Sequence, residues 1–334
     1  MARFSAKRLA HLLVGIAGSA LTVPAHASEG GASFYLLGSG GPEAAILPPV
    51  RGIFFDNTIL HYDGNAHGDR QFVVGGNLVA GLRAKLDADF ATVLWVPSTD
   101  FAGGTLAIGG AFAAGWTKAD VSAVITGPRG RQVTVSKTDS AWIIGDPVAL
   151  AEASWNLGGN THLATGPSVN IPVGEYREDQ LANLSFHRWV LDWSTALTWH
   201  DDKAGWDVSG KAGLTFNGKN HFTDYKTGTE FHLEGSVEHT FSKAFSAGIQ
   251  GYHFQQVSGD SGAGATLGSF KGRVSAVGVT AAYSFEAGHT PVSIRGRVFK
   301  EFGAKNRVDN GTSIFLSVDF PLKMILPKAP PHPE

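Results

Sequence analysis

The stretch Arg188-Trp189-Val190-Leu191-Asp192-Trp193-Ser194-Thr195-Ala196-Leu197-Thr198-Trp199-His200 decides the fold. Trp189, Leu191, Trp193, Leu197 and Trp199 fall on one face of an extended chain, and Arg188, Asp192, Ser194, Thr198 and His200 on the other. Successive strand side chains point to opposite faces, so this separation predicts a β-strand with one apolar and one polar side. The pattern recurs from Trp206 to Asn217, where Val208, Ala212, Leu214 and Phe216 oppose Asp207, Ser209, Lys211 and Thr215. It recurs again from Glu230 to Phe241, with Phe231, Leu233 and Val237 opposing Glu230, His232, Glu234 and Glu238, and from Thr312 to Leu322. His239 breaks the rule by sitting on the apolar side.

Alternation alone fits a soluble sandwich or a lipocalin-like barrel as well as a membrane barrel. Aromatic spacing separates the two. Trp189 and Trp199 lie ten residues apart on one face, and Trp206 and Phe216 repeat that interval on the next segment. Ten residues at about 3.3 Å each, tilted by about 40°, climb roughly 25 Å, the height of the apolar band between the aromatic girdles of a membrane barrel. Charged residues make up only 17% of the chain, too few to solvate the outside of a soluble β protein of this size. The expectation is an all-β fold, a closed antiparallel transmembrane β-barrel of about 12 strands over residues 51–322, with Trp189, Trp199, Trp206 and Phe216 in its membrane girdle. It must close, because unpaired strand edges are too costly in lipid.

Turn chemistry at Asp201-Asp202-Lys203-Ala204-Gly205, Asn217-Gly218-Lys219-Asn220, Ser258-Gly259-Asp260-Ser261-Gly262 and Asn310-Gly311 makes successive strands antiparallel neighbours. Weaker strands are expected at 51–63, 88–97, 105–117, 120–136, 148–157, 162–172, 244–256, 270–285 and 291–302. Leu78 to Phe90 mixes Arg83, Lys85, Asp87 and Asp89 with apolar residues in a way that fits a strand pair or a short helix.

The ends are read separately. Arg3, Lys7 and Arg8 precede an apolar run from Leu9 to Val23 and the small-x-small motif Ala25-His26-Ala27, the form of a cleaved signal peptide over residues 1–27. Residues 28–50 do not alternate; they are a candidate plug folded into the lumen, with a periplasmic tail as the alternative. Residues 323–334 form a proline-rich tail. The absence of cysteine excludes disulfides, thiolate metal sites and a cysteine nucleophile. A formal net charge of −2 and no basic block argue against nucleic acid as a partner.

With the apolar face outward, the lumen receives Arg188, Asp192, Lys211, Glu230, His232, Glu234, Glu238, Arg295, Arg297 and Asp319. These are candidate pore-lining residues; the plainer reading makes them ion pairs that stiffen the wall, with Lys211 near Glu234 and Arg295 near Asp319. No catalytic constellation emerges, since His200, His232 and His253 lack a recognisable nucleophile pattern. His200-Asp201-Asp202 reads as a solvated turn rather than a metal site, and Ser39-Gly40-Gly41 as flexible chain rather than a phosphate loop. No cofactor is implied.

Several runs resemble the SphA-like family named for the meta-pathway of phenol degradation. They are Phe216-Asn217-Gly218-Lys219-Asn220, Thr223-Asp224-Tyr225-Lys226-Thr227-Gly228, Gly251-Tyr252 with Gln255-Gln256, Asp260-Ser261-Gly262 and Asn306-Arg307. Pro48-Pro49 with Gly52, and Ile171-Pro172-Val173-Gly174-Glu175-Tyr176, are similar as well, although Val173 stands where the family has threonine. The resemblance implies an outer-membrane barrel, delivered by the outer-membrane assembly machinery into a lipid bilayer, that passes small hydrophobic solutes, aromatic ones above all. A surface-binding barrel and an outer-membrane hydrolase are the alternatives. One departure bears on insertion: the aromatic terminus that the machinery reads in many barrels is replaced by a tail after Phe320 and Leu322.

Overall fold

The computed structural model describes residues 32–74, 77–126, 132–178, 180–269 and 271–325. The expectations for residues 1–27, for residues 28–31 of the candidate plug and for most of the C-terminal tail lie outside them. The described residues form fifteen strands: β1 Arg51–Val74, β2 Asn77–Phe101, β3 Gly104–Thr126, β4 Gln132–Ile144, β5 Val148–Gly158, β6 Thr161–Asn170, β7 Val190–Asp201, β8 Trp206–Asn217, β9 Lys219–Asn220, β10 Tyr225–Lys226, β11 Glu230–Thr240, β12 Phe245–Gln256, β13 Arg273–Ala287, β14 Thr290–Lys305 and β15 Asp309–Ile325. β9 and β10 form a small ribbon of their own. The rest form one antiparallel sheet that closes through the β2–β3 and β1–β15 pairings.

The ring has twelve staves, because β4 and β5 share one. β5 pairs with β3 from Thr105 to Ala111, and β4 pairs with the same strand from Ala114 to Thr126. Gly145-Asp146-Pro147 separates the two halves, and proline cannot donate a ladder hydrogen bond. β6 pairs with β5 on one side and β7 on the other, and not with β4.

Connections at one end of the barrel are short, as at Ala102-Gly103, Gly159-Asn160 and Gly288-His289, and those at the other include residues 171–189 and 257–272. Short turns mark the periplasmic side of outer-membrane barrels. β1, β2 and β3 run 24, 25 and 23 residues against 10 to 12 for β5 to β8, so they stand above the loop end as a flap. The expected strands 105–117 and 120–136 need correction: β3 runs unbroken to Thr126 and the chain reverses before Gln132. Leu78 to Phe90 belongs to a single strand. Arg83, Lys85, Asp87 and Asp89 share one parity, so all four project outward, where Arg83 and Lys85 pair with Asp63.

The outer face is apolar around the short staves. Trp189, Trp193, Trp199, Trp206 and Phe216 are all exposed, Trp189 to 59%, while Asp192, Ser194, Thr198 and Thr215 are buried. Burying the polar residues and exposing the tryptophans is the reverse of a water-soluble fold and matches a lipid-facing wall. His239 is accommodated outside by stacking on Trp206 at 4.5 Å between ring centroids and bonding the Gly205 carbonyl.

Candidate functional site

The lumen is filled differently at its two ends. Towards the turn end, polar side chains converge on residues 38–45, which lie inside the ring. The Gly38 amide donates to Glu234 at 2.6 Å; Arg297 donates to the Gly38 and Ser39 carbonyls at 3.0 and 2.8 Å; Gln250 bonds the Gly40 carbonyl. Further along, the Ala45 amide donates to Thr198 at 3.0 Å and its carbonyl accepts from Ser154 at 2.5 Å. Ser39-Gly40-Gly41, expected to be flexible, is therefore tethered by three strands. Gly38 has φ +89°, and a Cβ there would come 2.8 Å from the Phe299 ring, so this turn admits only glycine without strain.

Tyr35 stacks on His232 with ring centroids 3.5 Å apart, and the Lys211 ammonium lies over the Tyr35 ring, 5.7 Å from its centroid. His232 in turn holds Asp192 at 2.8 Å, and Asp192 accepts from Ser194 and Thr215 at 2.5 and 2.6 Å. Burial, and Glu234 after it, pushes the Tyr35 hydroxyl well above its ordinary range, so the ring stays neutral.

Of the ten residues read from the sequence as lumenal, most are packed inside the wall rather than open, whereas Asp319 is exposed near the turn end. Arg188, Asp192, Glu230, His232, Glu234, Glu238 and Arg297 are each less than a tenth exposed. Lys211 stands opposite Glu234 in register, as expected. Arg295 does not reach Asp319. Its strand partner is Ser317, because the turn after Lys305 sets β15 two residues off the expected register, and Asp319 faces Ser293 and Asp56 instead. Arg295 crosses to Glu238, three strands away, with N–O distances of 2.5 and 3.2 Å, and also donates to Thr280. His200, read as part of a solvated turn, is held by Asp207 and Asp202, each at 3.0 Å. Among the described residues no group of three or more metal-capable side chains converges.

The loop-end half of the lumen is not the mixed-charge interior that the polar faces predict. Tyr252, Phe254, Phe299 and Phe315 turn inward there and pack with Leu37 and Leu60, and Ala66, Leu82, Ala119 and Val121 continue the apolar surface up the inside of the flap to Leu181. Between this wall, residues 32–37 and residues 181–188 lies a chamber of about 350 Å³. Its lining is mostly apolar, with polar side chains gathered at a few points. Tyr62 and Tyr252 both donate to the buried Glu301 at 3.0 Å, Arg188 lies over Phe186, and Arg307 lies over Phe254 at 4.1 Å. A long-range hub absent from the sequence reading closes one side. Asp146, at the break between β4 and β5, accepts from the Gly174, Phe186 and His187 amides at 2.9, 2.8 and 3.0 Å, from Ser185 at 2.6 Å and from Asn170 at 2.9 Å. Asp139 pins the same loop through the Leu181 and Ala182 amides at 3.0 and 2.9 Å. The only sequence signal for Asp146 is a Gly-Asp-Pro interruption of an apolar strand.

Residues 68–315 match the family described as "Putative MetA-pathway of phenol degradation". Among solved structures the chain is similar to an outer membrane channel from Pseudomonas putida F1, with 16% identity and a TM-score of 0.64 over 84% of this chain and 99% of that one. It also matches the monoaromatic hydrocarbon channel CymD at 7% identity and a TM-score of 0.42, covering 85% and 93% of the two chains. No curated protein matches. The first likeness shows the fold alone, a closed β-barrel.

Proposed function

The chain belongs to the phenol-degradation MetA-pathway family, and from that premise we propose that it is an outer-membrane channel for passive uptake of small hydrophobic compounds, aromatic ones above all. The observation that carries this reading is the chamber, an apolar, aromatic-walled cavity of about 350 Å³ inside a barrel whose outer wall faces lipid. Such a cavity offers an uncharged ring a better environment than water, by about 25 cal/mol for each Å² of apolar surface removed from it. It offers ions little, because its charged side chains are engaged with protein groups. A gradient is enough to drive net flow, since compounds consumed inside the cell are never at equilibrium across the wall.

In this reading residues 28–50 are the plug. The tether of Gly38 to Glu234 and Arg297 and of Gly40 to Gln250 supports it, as does the chamber floor built from residues 32–37. Arg188, Asp192, Lys211, Glu230, His232, Glu234, Glu238, Arg295, Arg297 and Asp319 then serve as the polar lining that seats the plug, and Trp189, Trp199, Trp206 and Phe216 mark the two membrane interfaces. Residues 1–27 direct export and are removed, and the assembly machinery inserts the barrel. Covalent chemistry has no part in this function.

The test compares cells that make the protein with cells that lack it, measuring the initial rate at which radiolabelled naphthalene and a hydrophilic sugar accumulate. Faster naphthalene entry with unchanged sugar entry is expected; equal naphthalene rates refute the channel. Deleting residues 28–47 should raise single-channel conductance, and unchanged conductance would remove the plug from the scheme.

A further inference from the structure

Thr117 sits on β3 with its side chain turned into the chamber. It is 93% buried, as its 7% exposure implies, and its hydroxyl oxygen has no hydrogen-bond partner. A buried hydroxyl left unpaired is destabilising unless something else meets it. Its surroundings are apolar: Leu86 is its register partner on β2, and Ala119 and Val121 follow on the same face of β3. On the far side of Leu86, Tyr62 begins the cluster in which it and Tyr252 donate to Glu301. Two strand spacings put Thr117 roughly 10 Å from Tyr62 across the wall, so the Tyr–Glu–Tyr cluster does not serve it.

The size of the chamber carries a second message. An apolar cavity of about 150 Å³ is enough for benzene, and cavities from about 300 Å³ hold multi-ring ligands. At about 350 Å³ the chamber is more than twice what one ring needs.

Resting on the uptake reading, we propose that the cargo is an uncharged amphiphile of two or three fused rings, or an apolar body of that bulk, bearing a hydroxyl that Thr117 receives. Thr117 is then a specificity-determining residue, and its orphaned hydroxyl is the unfilled half of a contact with cargo. A threonine hydroxyl both donates and accepts, which suits a neutral hydroxyl better than a carboxylate.

Binding to the full-length protein in lipid nanodiscs tests this, with phenol, phenanthrene and 9-phenanthrol as probes. In the unmodified protein 9-phenanthrol should bind at least tenfold more tightly than phenol. Thr117→Val keeps the shape and removes the hydroxyl; it should weaken 9-phenanthrol by about three- to tenfold, the range of one neutral hydrogen bond, and leave phenanthrene unchanged. Thr117→Ser should restore most of the loss. Because the valine replaces an unpaired buried hydroxyl, the variant should fold at least as stably as the parent, and thermal unfolding checks this. If valine affects both three-ring probes equally, or neither, the role of Thr117 is overturned while uptake stands. Phenol binding as tightly as 9-phenanthrol overturns the size assignment. Failure of every probe to bind the unmodified protein overturns the chamber as a cargo site, and the uptake reading with it.

Discussion

Replacing Asp146 by alanine should free residues 171–189 while leaving the barrel closed. The carboxylate takes five hydrogen bonds, three of them from the backbone amides of Gly174, Phe186 and His187. Hydrogen bonds to a charged group are each worth about 1.5–3 kcal/mol. The loop can recruit water once it loosens, so only the three amides are counted, at about 1–1.5 kcal/mol each, which gives roughly 3–4.5 kcal/mol of lost local stability. Each 1.4 kcal/mol is a factor of ten, so amides of this loop should exchange with solvent about a hundred- to a thousandfold faster. Hydrogen exchange followed by mass spectrometry of peptides covering 171–189 measures this, with β11 as the internal reference. Asp146→Asn keeps one acceptor oxygen and should fall between. Loop exchange within threefold of the parent in Asp146→Ala would refute the claim that this carboxylate holds the loop against the strand break.

Gly38→Val should loosen the segment inside the lumen, because a β-branched residue at φ +89° with its Cβ 2.8 Å from the Phe299 ring adds about 2–4 kcal/mol of strain and overlap; higher ion conductance of the reconstituted protein is the readout, and unchanged conductance would count against the tether. Arg295→Met removes the partner of Glu238, which has 7% of its side chain exposed. Because Arg295 keeps 17% exposure and water softens the loss, the cost should be about 2–4 kcal/mol. Thermal unfolding should detect it, and Arg295→Met combined with Glu238→Gln should recover part of it.

The barrel was legible because its evidence is local and periodic. Arg188 to His200 declares both faces within thirteen residues, and the interval from Trp189 to Trp199 adds the thickness of the layer outside. The same rule, applied more strictly, resolves Leu78 to Phe90: residues 83, 85, 87 and 89 all have one parity, which a strand explains and a helix does not. The site was less legible because its residues act across the chain. Asp146 binds partners 24 to 41 residues away, and nothing near it in sequence announces them. Hairpin pairing looks one strand over, whereas the Arg295 guanidinium reaches Glu238 three strands away. Thr117 looks like any strand threonine until its burial and missing partner are seen together. The apolar chamber was hidden because Phe299 and Phe315 sit on faces that elsewhere carry polar residues.

The tethering of Gly38 also constrains how the molecule is assembled. Its partners Glu234, Gln250 and Arg297 lie 196, 212 and 259 residues later in the chain. The segment that enters first has no seat until β11, β12 and β14 exist, and it lies directly before β1, the strand that completes the circle with β15. The seat for residues 38–40 and the strand that closes the seam are therefore both supplied by the second half of the chain, so neither the tether nor the sealed wall can form before that half is in place.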